Sequence, residues 1–281
     1  MQVLRTAAEV RAWRAGAGRV GLVPTMGALH EGHRSHVLRA AAECDAALVT
    51  IFVNPRQFAP GEDLAAYPRR EPEDLALIAG AGGSAVLMPS VAEMYPPGDD
   101  TRVVPGAIAA SLEGAARPGH FTGVATVVVK LLAMTRPDVA YFGQKDFQQL
   151  RVIQTVTGDL ALGVRIAGGV TVREPDGLAM SSRNAYLAPN ERARAVHLSR
   201  GLFAARDLWE AGERDPRRLR ATVAAHAAPA GALEYVSAAD PFTLAELAAP
   251  AERAVLSLAA RVGRARLIDN VLLGMDLADL T

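Results

Sequence analysis

Two histidines three residues apart, His30 and His33, flank Glu31 and Gly32 in the run Pro24-Thr25-Met26-Gly27-Ala28-Leu29-His30-Glu31-Gly32-His33. A short apolar stretch, Val20 to Pro24, precedes them, and a helical pattern follows from about Gly32 to Cys44. At this spacing both imidazoles lie on one side of the first helical turn. A helix N-terminus offers unpaired N–H groups and the positive end of the helix dipole, and so suits phosphate. Imidazole donors placed there would stabilise charge growing on a leaving pyrophosphate. The same residues also fit two structural histidines or part of a zinc site, although zinc normally takes at least a third protein ligand.

Three further clusters carry polar chemistry. Met180-Ser181-Ser182-Arg183 combines hydroxyls, loop amides and a guanidinium, the parts of a phosphate clamp, in a loop type that is also common on surfaces. Gly143-Gln144-Lys145-Asp146-Phe147-Gln148-Gln149 follows an apolar run, Val139 to Phe142. Gly143 permits close backbone approach to a ligand, and Lys145 offers an ammonium. Asp146 either accepts from ribose hydroxyls or caps a helix. Gln149 follows Lys145 by one turn. In Phe52 to Phe58, Asn54 and Gln57 are amides that donate and accept, suited to hydroxyl and carboxylate groups or simply to a polar loop. Arg117 and His120 either line the same cleft or form a turn before a long helix.

The elements that must position these groups alternate. Strands are predicted over Val20–Pro24, Ala47–Val53, Ala85–Met88 and Val139–Phe142, and helices over Gly32–Cys44, Pro72–Ala79, Gly123–Met134 and Phe147–Thr157. Alternation of this kind predicts an α/β fold, a Rossmann-like parallel sheet with helices on both faces, with ligands at the carboxyl ends of the strands. After about Gly169 the pattern changes. A strand at Val170–Arg173, helices over Glu191–Ala211 and Arg217–Ala225, and strands at Leu233–Ser237, Ala254–Leu258 and Arg264–Val271 make a smaller α+β unit. The expected domains are 1–171 and 172–281, the second a lid carrying the Met180–Arg183 loop. Met1 to Trp13 reads as helical, with no apolar core of a signal peptide.

Composition narrows the function classes. The 281 residues contain 30 Lys plus Arg and 30 Asp plus Glu, a formal net charge of zero, which disfavours a nucleic-acid partner. No stretch approaches 18 uninterrupted apolar residues, so no membrane span is expected. A single cysteine, Cys44, excludes an intrachain disulfide; it reads as a small core residue more readily than as a nucleophile. A cytoplasmic enzyme is the expectation.

Taken together, the His-x-Gly-His and Ser-Ser-Arg pairing resembles the nucleotidyltransferase superfamily. The five motifs in order, over about residues 20–190, closely resemble the pantothenate synthetase family; in the C-terminal region only Leu267-Ile268-Asp269-Asn270 is family-like. The resemblance implies ATP-dependent condensation of (R)-pantoate with β-alanine, through a pantoyl-adenylate, to give pantothenate, AMP and diphosphate. It places Met26, Gly27, Ala28, Leu29, His30, Glu31, Gly32 and His33 around ATP, with His33 as proton donor and His30 as its partner. Gly143, Gln144, Lys145, Asp146 and Val172 match adenosine contacts, and Met180, Ser181, Ser182 and Arg183 the phosphate loop. Gln57 and Gln149 match the pair holding pantoate; Gln57, with Asn54 beside it, is expected at β-alanine. His30, His33, Lys145 and Arg183 are the expected catalytic groups. Magnesium is expected with ATP, at Asp74 of the pair Glu73–Asp74, although Leu77 one turn on is apolar. A homodimer is implied. Family members commonly carry apolar residues where this chain has Arg34, His36 and Arg56, all three able to point to solvent without harming the site. An adenylyltransferase that leaves AMP on its product, or a binding protein on the same fold, remain the other readings.

Overall fold

Short runs of Val, Leu, Ile and Ala, too brief for helices, pair side by side in the first half of the chain. The computed structural model describes residues 1–280, in two compact units: Met1–Gly143 with Gln148–Gly169, and Gln144–Phe147 with Val170–Leu280. The first unit runs β1 (Gln2–Leu4), α1 (Ala7–Arg14), β2 (Val20–Thr25), α2 (Glu31–Glu43), β3 (Ala46–Ile51), α3 (Glu71–Gly80), β4 (Ala85–Leu87), α4 (Val91–Met94), α5 (Glu113–Ala116), α6 (His120–Thr135), β5 (Val139–Gly143), α7 (Phe147–Asp159) and β6 (Arg165–Gly169). Its six strands form one parallel sheet in the order β1-β4-β3-β2-β5-β6. The chain moves outward one way from β2 and returns to place β5 on its other side. The strand order therefore reverses between β2 and β5, the point at which open α/β sheets bind ligands.

Burial explains the arrangement. Val23, Val49, Val86, Tyr141 and Ala167 share one core with Val37 and Ala40 of α2 and Ile78 of α3. The residues between them, Leu22, Leu48, Leu87, Ala140 and Ile166, are buried as well. Side chains alternate across a strand, so a sheet buried at both parities is covered on both faces.

The second unit has α8 (Pro189–Ala195), α9 (His197–Glu210), α10 (Pro216–Ala227), β7 (Ala232–Ala239), β8 (Ala254–Val262) and β9 (Ala265–Leu273). The three strands form an antiparallel sheet in chain order. Leu198, Leu202 and Trp209 of α9 and Leu219 and Val223 of α10 share a core with Leu256, Leu258 and Leu267 of that sheet.

Three sequence expectations need correction. Met1–Trp13 is not one helix: Gln2–Leu4 pairs with Ala85–Leu87, and Thr6 then caps α1 through a reciprocal bond with Glu9. The strand expected at Val170–Arg173 lies earlier, at Arg165–Gly169, where two glycines weaken the β pattern. The stretch Glu191–Ala211 is two helices meeting at Val196.

His36 does not face solvent either. It is 8% exposed and packs on Gly169, where an added Cβ would lie 2.2 Å from its Cε1. Burial, with the Arg39 charge adding to it, pushes the imidazole down to about 4. An unfolded chain takes up this proton near pH 6.5, and the folded chain resists it down to about 4. Stability therefore falls as pH drops through that window, by roughly 1.4 kcal/mol per pH unit from this group. Denaturant titrations at pH 5 and pH 7 should show a smaller pH-dependent loss for His36→Leu than for the parent chain; equal losses would show that His36 is not the group responsible.

Candidate active site

The turn joining β2 to α2 is built around a carboxylate 46 residues away. Gly27 has φ 84° and Ala28 φ 51°, the left-handed region that costs a non-glycine residue about 1–2 kcal/mol. Asp74, buried in the first turn of α3, offsets this cost. Its Oδ2 accepts from the Ala28 N–H at 2.9 Å and its Oδ1 from the Leu29 N–H at 2.7 Å. Burial raises the Asp74 pKa, against these two bonds, which favour the carboxylate. Space at Gly27 is tight as well, since a Cβ there would meet Asp74 Oδ2 at 3.1 Å.

The turn delivers His30 to the N-cap of α2 in extended conformation. His30 Nδ1 accepts from the Gly32 N–H at 3.1 Å, and His33 Nδ1 accepts from the His30 N–H at 3.3 Å. The ring centroids are 4.1 Å apart. A ring nitrogen that accepts carries no proton, so each neutral imidazole bears its hydrogen on Nε2. Two Nε2–H donors thus stand side by side at a helix N-terminus, at the carboxyl end of β2. Glu31 pairs instead with Arg34 at 2.6 Å on the exposed side.

Beyond β3, Asn54 begins a turn of 3-10 helix that buries Gln57. Gln57 is held from two sides. Its side-chain Oε1 accepts from Asn54 Nδ2 at 2.9 Å, and its Nε2 lies 3.3 Å from the Met26 sulfur. Its backbone carbonyl accepts from His120 Nδ1 at 2.9 Å and from Arg117 Nη2 at 3.3 Å. Arg117 also donates to His120 Nε2 at 3.0 Å and forms a two-point ion pair with Glu62. His120 is therefore neutral with its proton on Nδ1. Burial, followed by the Arg117 charge, pushes it down to about 4. At Gly123 a Cβ would sit 2.2 Å from the Arg56 carbonyl, so α6 packs backbone to backbone on this segment.

Asn54, expected beside β-alanine, is 1% exposed, and its amide bonds Gln57, the Gly123 carbonyl and the Arg56 N–H. Arg56 does not point to solvent: it pairs with Asp99 at 2.8 Å and lies 3.7 Å above the Tyr95 ring. Gln149 is half-buried in the first turn of α7. Its neighbour Gln148, which no local pattern singles out, braces the chain before α5 through the Glu113 N–H and the carbonyls of Ile108 and Ser111.

In the second unit, Asn270 of β9 organises the turn Gln144–Asp146. Its Nδ2 donates to the carbonyls of Gln144 and Lys145, each at 2.9 Å, and its Oδ1 accepts from Gln144 Nε2. The Lys145 ammonium lies 3.7 Å from Asp146. Asp269 forms a two-point pair with Arg173, which also donates to the Gly177 carbonyl. Met180 N–H donates to the Val172 carbonyl, and Ser181 Oγ caps the 3-10 turn that carries Ser182 and Arg183. The family-like pair Asp269–Asn270 thus supports both motifs of this unit.

Magnesium has a limited protein donor set. Each Asp74 oxygen already holds a backbone amide, and among the described residues no three His, Cys, Asp or Glu side chains gather as a metal cage. That suits an ion held chiefly by triphosphate oxygens and water, the usual binding mode of magnesium with nucleotides.

Known proteins share both the sequence and the fold. The family model for pantoate-beta-alanine ligase matches residues 2–272. A pantothenate synthetase of Roseiflexus castenholzii is 57% identical over 276 residues, covering 97% of this chain and 99% of that protein. The crystal structure of pantothenate synthetase from Thermus thermophilus superposes with a TM-score of 0.92 at 44% identity, covering 96% of this chain and 99% of the other. A pantoate-beta-alanine ligase from Francisella tularensis, crystallised with beta-gamma ATP and beta-alanine, superposes with a TM-score of 0.80 at 33% identity and 99% coverage of both chains. With the motifs, the sheet and the match along nearly its whole length in agreement, the chain belongs to the pantoate–β-alanine ligase family.

Proposed function

We propose that this chain condenses (R)-pantoate with β-alanine, using ATP, by way of a pantoyl-adenylate. A carboxylate is a poor acylating agent, and transfer of AMP onto it supplies a leaving group. In the first step a pantoate oxygen forms a bond to the α-phosphorus while the bond to pyrophosphate breaks. In the second, the β-alanine amine forms the amide bond, loses a proton, and the acyl carbon–oxygen bond to AMP breaks.

The observation that supports this most directly is the pair of imidazoles with both Nδ1 atoms accepting from backbone amides, which leaves Nε2 of each as the donor atom. We assign His30 and His33 to the phosphate oxygens, where fixed donors stabilise charge that grows as pyrophosphate departs. Lys145, Ser181, Ser182 and Arg183 act on the same triphosphate by charge and hydrogen bonding. Met26 to His33, Gly143 to Asp146, Val172 and Met180 line the nucleotide. Gln57 and Gln149 hold pantoate, and Gln57 also meets β-alanine. Magnesium would be held chiefly by the triphosphate, where it would offset phosphate charge, and Asp74 is the carboxylate of this chain that would contact it. By the same family likeness we propose a homodimer in the cytoplasm. Among the described residues no helix is long and apolar enough to cross a membrane.

The reading is tested by assaying AMP and pyrophosphate release with ATP, pantoate and β-alanine, omitting each in turn. Net AMP release should need all three, while pantoate alone should support exchange of labelled pyrophosphate into ATP. A product that keeps the adenylyl group would identify an adenylyltransferase, and nucleotide binding without turnover a binding protein.

The histidine and lysine roles are tested separately. His33→Ala and Lys145→Ala should each lower turnover by roughly 10²–10³, the scale for one preorganised electrostatic contact. Thermal unfolding should stay close to that of the parent chain. Full activity in both folded variants would remove these residues from the mechanism.

A further inference from the structure

We infer that Asn54, pinned by Tyr95 together with two backbone groups, sets the direction of the Gln57 amide, so that Gln57 meets its ligand only as a hydrogen-bond donor. The inference rests on the reading above that Gln57 holds the acid. An isolated glutamine presents either its oxygen or its NH2 group, and Gln57 has lost that choice.

Two backbone groups fix the first amide in the relay. The Arg56 N–H, which can only donate, lies 3.2 Å from Asn54 Oδ1. The Gly123 carbonyl, which can only accept, lies 3.2 Å from Asn54 Nδ2. Asn54 therefore cannot turn over. Tyr95 completes the arrangement: its hydroxyl donates to Asn54 Oδ1 at 2.8 Å and adds a second donor on that oxygen. The remaining Asn54 Nδ2 hydrogen points to Gln57 at 2.9 Å and can only meet an oxygen there. Gln57 Oε1 is thus turned inward, and Nε2 outward beside the Met26 sulfur, a weak acceptor that a ligand oxygen would outcompete.

The Tyr95 ring is itself held. Arg56 lies 3.7 Å above its centroid and the Lys130 ammonium 5.2 Å from it, and both cations bind Asp99. Burial pushes the Tyr95 hydroxyl up to about 12, which keeps it a donor at neutral pH. Tyr95 and Arg56 are positioning residues that act through Asn54 and Gln57. The chemistry they select is an acceptor oxygen, carboxylate or hydroxyl, in preference to an NH2 group at the same place.

The test uses the full chain and pantoate-dependent exchange of labelled pyrophosphate into ATP. Tyr95→Phe should raise the KM for pantoate about tenfold, the scale of one misplaced buried hydrogen bond. The KM for ATP should stay unchanged. In the Gln57→Ala background, adding Tyr95→Phe should cause no further loss, because the relay then has nothing to orient. Arg56→Met, which unclamps the ring, should give a smaller rise in pantoate KM with the same non-additivity, and it decides the matter should Tyr95→Phe fail to fold. An unchanged pantoate KM, an equal rise in both KM values, or losses that add in the double variant would each overturn the inference. Absence of pantoate-dependent exchange in the parent chain would overturn the functional reading instead.

Discussion

The bond from Asp74 to the amides of Ala28 and Leu29 is the constraint on which the nucleotide end of the site depends. It holds the left-handed Ala28, next to a left-handed Gly27 whose own N–H donates to Thr25 Oγ1 at 3.2 Å. The turn decides where α2 begins. Its start places His30 at the N-cap, and the N-cap bond fixes the ring. One buried carboxylate on α3 therefore controls the direction of two imidazoles on a neighbouring helix. Under the proposed function, donors fixed in this way would need little reorganisation as charge develops.

A second theme is the fixing of hydrogen-bond direction by groups that cannot change theirs. Backbone N–H groups set His30 and His33 as Nε2 donors. Arg117, a pure donor, sets His120 with its proton on Nδ1, aimed at the Gln57 carbonyl. Arg56 N–H and Gly123 C=O set Asn54, which sets Gln57. Each of these chains ends on a group that can only donate or only accept. Under the proposed function the same device would serve growing negative charge at the histidines and an oxygen-bearing substrate at Gln57.

The sequence marked the candidate site groups more readily than the residues that hold them. His30 and His33 were legible because their spacing falls within one helical turn and the preceding apolar run marks a strand end. The long apolar runs, such as Val20–Pro24 and Ala47–Val53, were legible because strand burial needs continuous hydrophobic stretches. Three-residue β1 and the glycine-bearing β6 were not, since their strand character comes from pairing with β4 and β5 rather than from local preference. The structural role of Asp74 was not legible, because its bond to the turn spans 46 residues and nothing local records such a bond. His36 and Arg56 read as able to face solvent for the same reason: their partners, Gly169 and Asp99, lie far along the chain. The one local signal available was an acidic pair directly after Pro72 at a helix start, where a carboxylate is well placed to hold backbone amides.

The central claim is that the acid is activated by bonding its own oxygen to the α-phosphorus. Pantoate labelled with 18O in both carboxylate positions, turned over with ATP and β-alanine, tests this most directly. The amide carbonyl keeps one label, and the oxygen that bridges acyl carbon and phosphorus leaves with the nucleotide. The account predicts one 18O in each AMP released and none in pyrophosphate. AMP without label, or label in pyrophosphate or inorganic phosphate, would contradict it and place the activating bond elsewhere on the nucleotide.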